Sequence, residues 1–546
     1  MPPMKPFASA THPDRPQLLD RLAGGGPFDL AVIGGGATGL GVAVDAAARG
    51  FTVALLEADD FAKGTSSRAT KLVHGGVRYL AQGHVGLVRE ALRERSLLLA
   101  NAPHLVRPLP FVIPMYGWRG RLRDRLVYGS GLRVYDALAG EAGLGRTTWL
   151  GRDAVVATAP MVRRAGLVGG LRYLDAQFDD ARLAVALART AIGLGACVLN
   201  HCGVRGLVHE GGRVAGIEAE DRETGRRFGL AARCVVNATG VWVDAVRRMD
   251  DPAAADLVTP SQGAHVVVDR DFFPGEAALL VPKTADGRVL FAVPWEGKVI
   301  LGTTDTPRAD VPHEPRPLAA EVDFILDEAA RYLDRPPTRG DVKSAWAGLR
   351  PLVRPGGGGG DTKRISREHA IVVSPSGLVT VTGGKWTTYR AMAEDVLARC
   401  FASGLLDARP AGATRTLRLT GAPAAGVAVE PVTAPPGPHL YGTEAADVAV
   451  LPGADREILP GLTEAMVRFA VRRECARSVE DVLARRSRWL FLDAALAASA
   501  ADRVAAILAE EIGAAFEPAA SAAAFRRVAD GYRLGECSDV AATAVP

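Results

Sequence analysis

The sequence predicts an α/β fold with three parts: a Rossmann-like dinucleotide-binding domain, a second domain built on an antiparallel sheet, and a helical C-terminal domain. Three observations predict it. A strand–glycine turn–helix–strand pattern opens at Phe28. Alternating apolar stretches such as "QGAHVVVD", "GRVLFAVPWEGKVILGTTD" and "SAWAGLRPLVRP" follow, the period expected of half-buried strands. Beyond about residue 406 a Pro/Ala/Gly-rich linker leads into "EAMVRFAVRRECARSVEDVLARRSRWLFLD", which reads as helices. At 546 residues the chain is too long for one hydrophobic core.

The first pattern is "FDLAVIGGGATGLGVAVDAAARGFTVALLEADD". Leu30–Ile33 is a short apolar run of strand length, and Leu40–Arg49 has the Ala/Val content of a helix packed on a sheet. Gly50 ends the helix, Phe51–Leu56 forms the next strand, and Glu57 stands at its end. Gly34 makes the tight turn, Gly36 lets backbone approach a pyrophosphate, and Gly39 lets helix and strand pack closely. The helix N-terminus offers free N–H groups to phosphate, and Glu57 can accept hydrogen bonds from a ribose diol. Further on, "RCVVNATG" is a buried strand ending in a small-residue turn. "HAIVVSPSGLVTVTGGKWTTYRAMAEDVLARC" reads as two strands, a Gly-Gly turn and a helix from about Thr388.

Segment boundaries follow from these elements. Residues 1–26 are a flexible extension. Residues 27–105, 166–260 and 346–405 form the nucleotide-binding domain, and 106–165 a cap segment. Residues 261–345 form the antiparallel substrate sheet, and 406–546 the linker and helical domain. A net charge of +4 without a recognisable module argues against nucleic-acid binding. The six cysteines are scattered without a CxxC pair, as in a reduced intracellular protein with no zinc site. No apolar run reaches the roughly 20 residues that span a bilayer.

The segment "GTSSRATKLVHGGVRYL", Gly64–Leu80, holds hydroxyls and the cations Arg68, Lys71 and Arg78 but no acid. With the glycine turn, "NATG", "GTTDT", "GLRPL" and "GGKWTTYR", it resembles the FAD-dependent glycerol-3-phosphate dehydrogenases, in order over roughly residues 28 to 500. The N-terminal extension, the run Gly356–Gly360 and Trp386 depart from the family pattern.

The resemblance implies bound FAD held by Gly34, Gly36, Gly39, Glu57, Thr65, Ser66, Ser67, Lys71, His74, Gly240, Gly384, Lys385 and Thr387. It also implies that Arg78, Tyr79, Arg350, Arg367 and Lys385 gather around glycerol 3-phosphate, a dianion that calls for fixed cations. His74 either accepts the C2 hydroxyl proton or orients the flavin. Arg350 and Lys385 are the other catalytic candidates, Arg350 by polarising the C2 oxygen. The helix near Thr388 is expected to point its positive end at the reduced flavin.

Only one dinucleotide fingerprint occurs, which disfavours a nicotinamide partner. The resemblance implies a membrane quinone as acceptor, with peripheral attachment to the inner face of the cytoplasmic membrane. O2 is the alternative acceptor; a shift of substrate to another 2-hydroxy or amino acid and a non-catalytic FAD-binding module are the alternative readings of function. The Arg-rich stretch Trp118–Gly140 reads either as a membrane-surface helix or as a solvated face. The C-terminal helices read as a membrane or homodimer contact.

Overall fold

The computed structural model of the chain describes residues 15–76, 80, 84–282, 284, 289–354 and 369–535. Strand Phe28–Ile33 lies inside a sheet whose centre is parallel and whose edge strand His369–Val373 is antiparallel, between Arg227–Asn237 on one side and Val53–Leu56 on the other. Cys197–Leu199 extends the sheet beyond Val53–Leu56, and Val379–Gly383 then His369–Val373 extend it beyond Arg227–Asn237. The period-2 alternation of a strand sorts its side chains. Leu30 and Val32 face a core shared with helices Ala37–Ala48, Asp180–Gly193 and Tyr389–Ala402. Ala31 and Ile33 face the opposite layer. Both faces are covered, so the strand reads as a continuous apolar run.

The second sheet is ten-stranded and mixed. Its long edge pair, Val258–Asp269 against Ser344–Val353, is antiparallel with Gln262 opposite Leu349 and His265 opposite Trp346. Val266 and Val268 pack under helix Ala319–Tyr332. Val267, between them, points the other way into a core completed by the C-terminal helices, among them Glu464–Glu474 and Ala501–Ile512. The helical domain therefore closes one face of the sheet.

Two boundaries differ from the sequence expectation. Residues 15–24 form a helix, Arg15–Gly24, rather than a flexible extension. Leu18, Leu19 and Leu22 make an apolar stripe buried against the underside of the parallel sheet, and Arg15 pairs with Asp221. The second difference is sheet membership. Leu72–Val73 and Leu167–Phe178, expected in the nucleotide-binding segments, are strands of the second sheet, and Ser344–Val353, read as one of its alternating strands, stays in it past the boundary expected at residue 346. Partner choice between strands is a long-range property, so local pattern does not reveal it.

The stretch Trp118–Ala139 is one helix, with Leu132 and Tyr135 buried and Val134 exposed. Among the described residues no helix is long and apolar enough to cross a membrane. The five described cysteines carry no disulfide.

Candidate active site

The carboxyl ends of the parallel strands and the near edge of the second sheet enclose a cavity of about 680 Å³, within the size range of cofactor sites. The glycine turn forms one wall. Gly34 sits at φ +107°, a conformation that favours glycine, and a side chain there would meet Ala238 O at 2.8 Å. Gly36 precedes helix Ala37–Ala48 in extended conformation. A Cβ on Gly39 would lie 2.0 Å from Gly34 O, so this glycine serves packing and does not line the cavity.

Glu57 accepts from Gly35 N–H (2.6 Å) through one oxygen and from Asp59 N–H (2.8 Å) through the other. Burial raises its carboxyl, and the two backbone donors offset part of that rise. Both oxygens retain acceptor capacity on the cavity wall.

Ser66 links the turn to the far wall. Ala37 N–H donates to its Oγ (3.0 Å) and Trp386 Nε1–H to its carbonyl (2.8 Å). Thr65 Oγ1 donates to Leu349 O at 2.6 Å. Gly240 (φ +63°) and Gly384 (φ +76°) turn the chain at the cavity rim. Lys385 and Thr387 line it too, with Thr387 Oγ1 bonding His74 O at 3.5 Å. His74, half-buried, follows strand Leu72–Val73 into the same wall.

Arg350 is brought in by the second sheet, opposite Ser261 in the register. Its Nη2 donates to Thr303 Oγ1 (3.1 Å) and Thr304 O (3.0 Å), and Nη1 stands 3.4 Å from Asp305 Oδ1. The guanidinium lies directly over Gly263, where a Cβ would come within 2.1 Å of Nη2.

Two cations of the segment Gly64–Leu80 are neutralised from far along the chain, contrary to the expectation of an uncompensated cluster. Arg68 is bidentate on Glu314, at 2.8 Å to both oxygens. Lys71, expected on the cofactor, is fully buried away from the cavity, its Nζ on Asp180 at 2.7 and 2.9 Å and on Ser67 O at 2.7 Å. A lone ammonium in that interior would be costly, and Asp180 offsets the cost. Ser67 likewise lies beneath the wall and contributes its carbonyl to that pair. Arg78, Tyr79 and Arg367 lie outside the described residues.

The structure adds residues the sequence reading passed over. His265 lines the cavity, stacks on Trp346 with ring centroids 5.2 Å apart and shares a hydrogen bond with Thr70 Oγ1 at 2.9 Å. Burial first, then Arg350 and Lys71, holds its imidazole well below the usual histidine range. Trp242 stacks on His313 and donates from Nε1 to Val311 O (3.0 Å), tying the loop around residue 311 across the cavity. The sequence signal for His265 is a ring nitrogen inside the apolar run "AHVVV".

The glycine turn, the helix N-terminus, the acceptor carboxylate of Glu57 and the open space at Gly36 together fit an adenine dinucleotide. Comparison with known proteins identifies which kind. The sequence profile of the FAD dependent oxidoreductase family matches residues 29–396. The chain belongs to the FAD-dependent oxidoreductases. A second profile, the C-terminal domain of alpha-glycerophosphate oxidase, matches residues 412–517.

Among its relatives in this family, the human mitochondrial glycerol-3-phosphate dehydrogenase is 39% identical over 535 residues, covering 92% of this chain and 72% of that protein. The Saccharomyces cerevisiae mitochondrial enzyme is 42% identical over 459 residues, covering 76% and 70%. The crystal structure of the Bacillus halodurans glycerol-3-phosphate dehydrogenase complexed with FAD superposes with a TM-score of 0.77 at 28% identity, covering 97% of this chain and 100% of that one. FAD is therefore the cofactor this flavoprotein fold holds, with an α/β domain and a helical C-terminal domain as the sequence predicted; the second sheet, expected to be antiparallel, is mixed because Ala278–Val281 runs parallel to Val106–Tyr116.

Proposed function

We propose that the protein is a flavin-linked dehydrogenase that oxidises sn-glycerol 3-phosphate to dihydroxyacetone phosphate. The electrons pass to a membrane quinone from a peripheral position on the inner face of the cytoplasmic membrane. The observation that carries the substrate is Arg350, a guanidinium held in fixed geometry on the wall facing the glycine turn. The names of the relatives point the same way.

Bound FAD supplies the hydride acceptor for C2 of the substrate. The residues of the chain supply the rest. Arg350 presents a planar fork to anionic oxygen, and Lys385 adds a second cation on the same cavity. His265, held neutral with its Nε2 on Thr70 Oγ1, relays to the cavity through that hydroxyl as a candidate acceptor for the C2 hydroxyl proton. Its Nδ1 is buried with no hydrogen-bond partner among the described residues. His74 lines the same cavity and is the second candidate base. The turn Trp386–Thr388 and helix Tyr389–Ala402 begin at the wall, and the positive helix end favours negative charge there.

The purified protein is expected to be yellow and to bleach without oxygen on addition of glycerol 3-phosphate, but not of glycerol or lactate. A quinone analogue should restore the colour. A yellow protein that the phosphate ester does not bleach overturns the substrate assignment, and rapid peroxide formation in air would replace quinone by O2.

Gly263 offers a gentler test. Alanine there displaces only the end of the Arg350 side chain, so folding survives while the guanidinium moves. A misplacement near 1 Å is expected to lower kcat/KM for glycerol 3-phosphate by roughly 10- to 100-fold. Unchanged steady-state kinetics would place Arg350 outside the substrate site.

A further inference from the structure

The carbonyl of Ser67 receives two cationic donors that the reaction does not use. Lys71 Nζ donates to it at 2.7 Å from the same loop, and Arg488 Nη2 donates at 2.8 Å from the helical C-terminal domain. Arg488 is fully buried. It lies just after the π-helical turn Asp481–Arg486 and adopts a left-handed backbone, φ +61°, before the short helix Trp489–Leu492. A non-glycine residue holds that conformation only at a cost that surrounding contacts must offset.

The contacts here all fix the guanidinium. Nη1 donates to Ala484 O (2.7 Å), Nη2 also reaches Asp180 Oδ1 (3.1 Å), and the plane lies over Phe491 at 4.2 Å. What the guanidinium holds is the last residue of the turn Thr65–Ser67. The preceding residue places its Oγ on Ala37 N–H at the start of the glycine-rich helix.

We propose that Arg488 is a positioning residue for FAD: reaching in from the C-terminal domain, it clamps the Ser67 carbonyl and so fixes Ser66 Oγ at the phosphate-facing helix N-terminus. The helical domain thereby forms part of the cofactor site although it does not line the cavity. A charge-assisted hydrogen bond to a buried carbonyl is among the stronger ones, and Lys71, the other donor to this carbonyl, comes from the same loop. The inference rests on FAD occupying the cavity, which wild-type flavin binding, measured alongside, checks separately.

The test uses R488K, which keeps a cation beside Asp180 but shortens its reach, together with S66A and the double variant. Flavin is removed and rebound, and the FAD dissociation constant is read by fluorescence quenching beside the melting temperature of each apoprotein. R488K is expected to raise the dissociation constant roughly tenfold or more, the worth of a charged hydrogen bond; the apoprotein melting temperature, lowered by the loss of buried contacts, is read beside it so that binding is compared well below unfolding. S66A should weaken FAD similarly, and the double variant should be no weaker than S66A, because both act through one hydroxyl.

R488K binding FAD within about twofold of wild type, or losses that add in the double variant, would overturn the proposal. If R488K does not fold, R488Q read in the same way decides: FAD binding within about twofold of wild type overturns the proposal, and roughly tenfold weakening to which S66A adds nothing upholds it.

Discussion

Replacing Arg350 by alanine is expected to lower kcat/KM for glycerol 3-phosphate by roughly 100- to 1000-fold, the range seen when one preorganised donor is removed from a closed site. The loss has two parts. The guanidinium no longer meets the anionic substrate. In addition, the Asp305 carboxylate, 3.4 Å from Arg350 Nη1 and accepting from Ser261 Oγ, loses this guanidinium, so the field met by a phosphate ester becomes less positive. Alanine therefore removes an attraction and makes the local field less positive.

Lysine at the same position restores the charge without the planar fork, so R350K should recover part of the loss in KM and less of it in kcat. The backbone pairing of Ser344–Val353 with Val258–Asp269 does not depend on the side chain, and flavin content and thermal unfolding should be near normal in both variants. A nearly active R350A would remove this guanidinium from the reaction.

The contrast between what is local and what is long-range decides how much of this site is legible in the sequence. The glycine turn is legible because Gly34, Gly36, Gly39 and Glu57 belong to consecutive elements. The strand alternation of "QGAHVVVD" is legible for the same reason. The partners of Arg68 and Lys71 are not, since Glu314 and Asp180 arrive from distant elements. A stretch with no acid of its own says nothing about which acids the fold delivers to it. His265 and Gly263 stand on a strand whose face toward the cavity depends on its pairing with Ser344–Val353, and a one-residue slip in register would exchange the two faces. Trp386, a departure from the family pattern, is explained by its place: its indole N–H fastens Ser66 O.

Gly36 and Gly39 lie three residues apart on the same turn, yet their replacements are expected to fail differently. Gly36 has φ −82° and ψ −177°, open to any residue, and a Cβ there would meet only Ser66 Oγ, at 3.1 Å. That hydroxyl can rotate aside. Valine at 36 should leave the apoprotein folded, with a melting temperature close to wild type, while its branched methyls occupy the space a pyrophosphate needs beside the helix N-terminus. The protein should come off purification colourless and refuse added FAD.

Gly39 is closed off by backbone. Its Cβ would fall 2.0 Å from Gly34 O and 3.1 Å from Gly34 C, and neither atom can move without opening the turn that Gly34 makes at φ +107°. Alanine at 39 should therefore cost roughly 3 kcal/mol, the upper end for overpacking a dense interior, and lower the melting temperature of the apoprotein itself. Flavin loss in G36V with an intact apoprotein, set beside destabilisation in G39A before any flavin is added, separates cofactor approach from helix packing. A G36V protein that keeps its flavin would contradict the placement of the pyrophosphate at this turn.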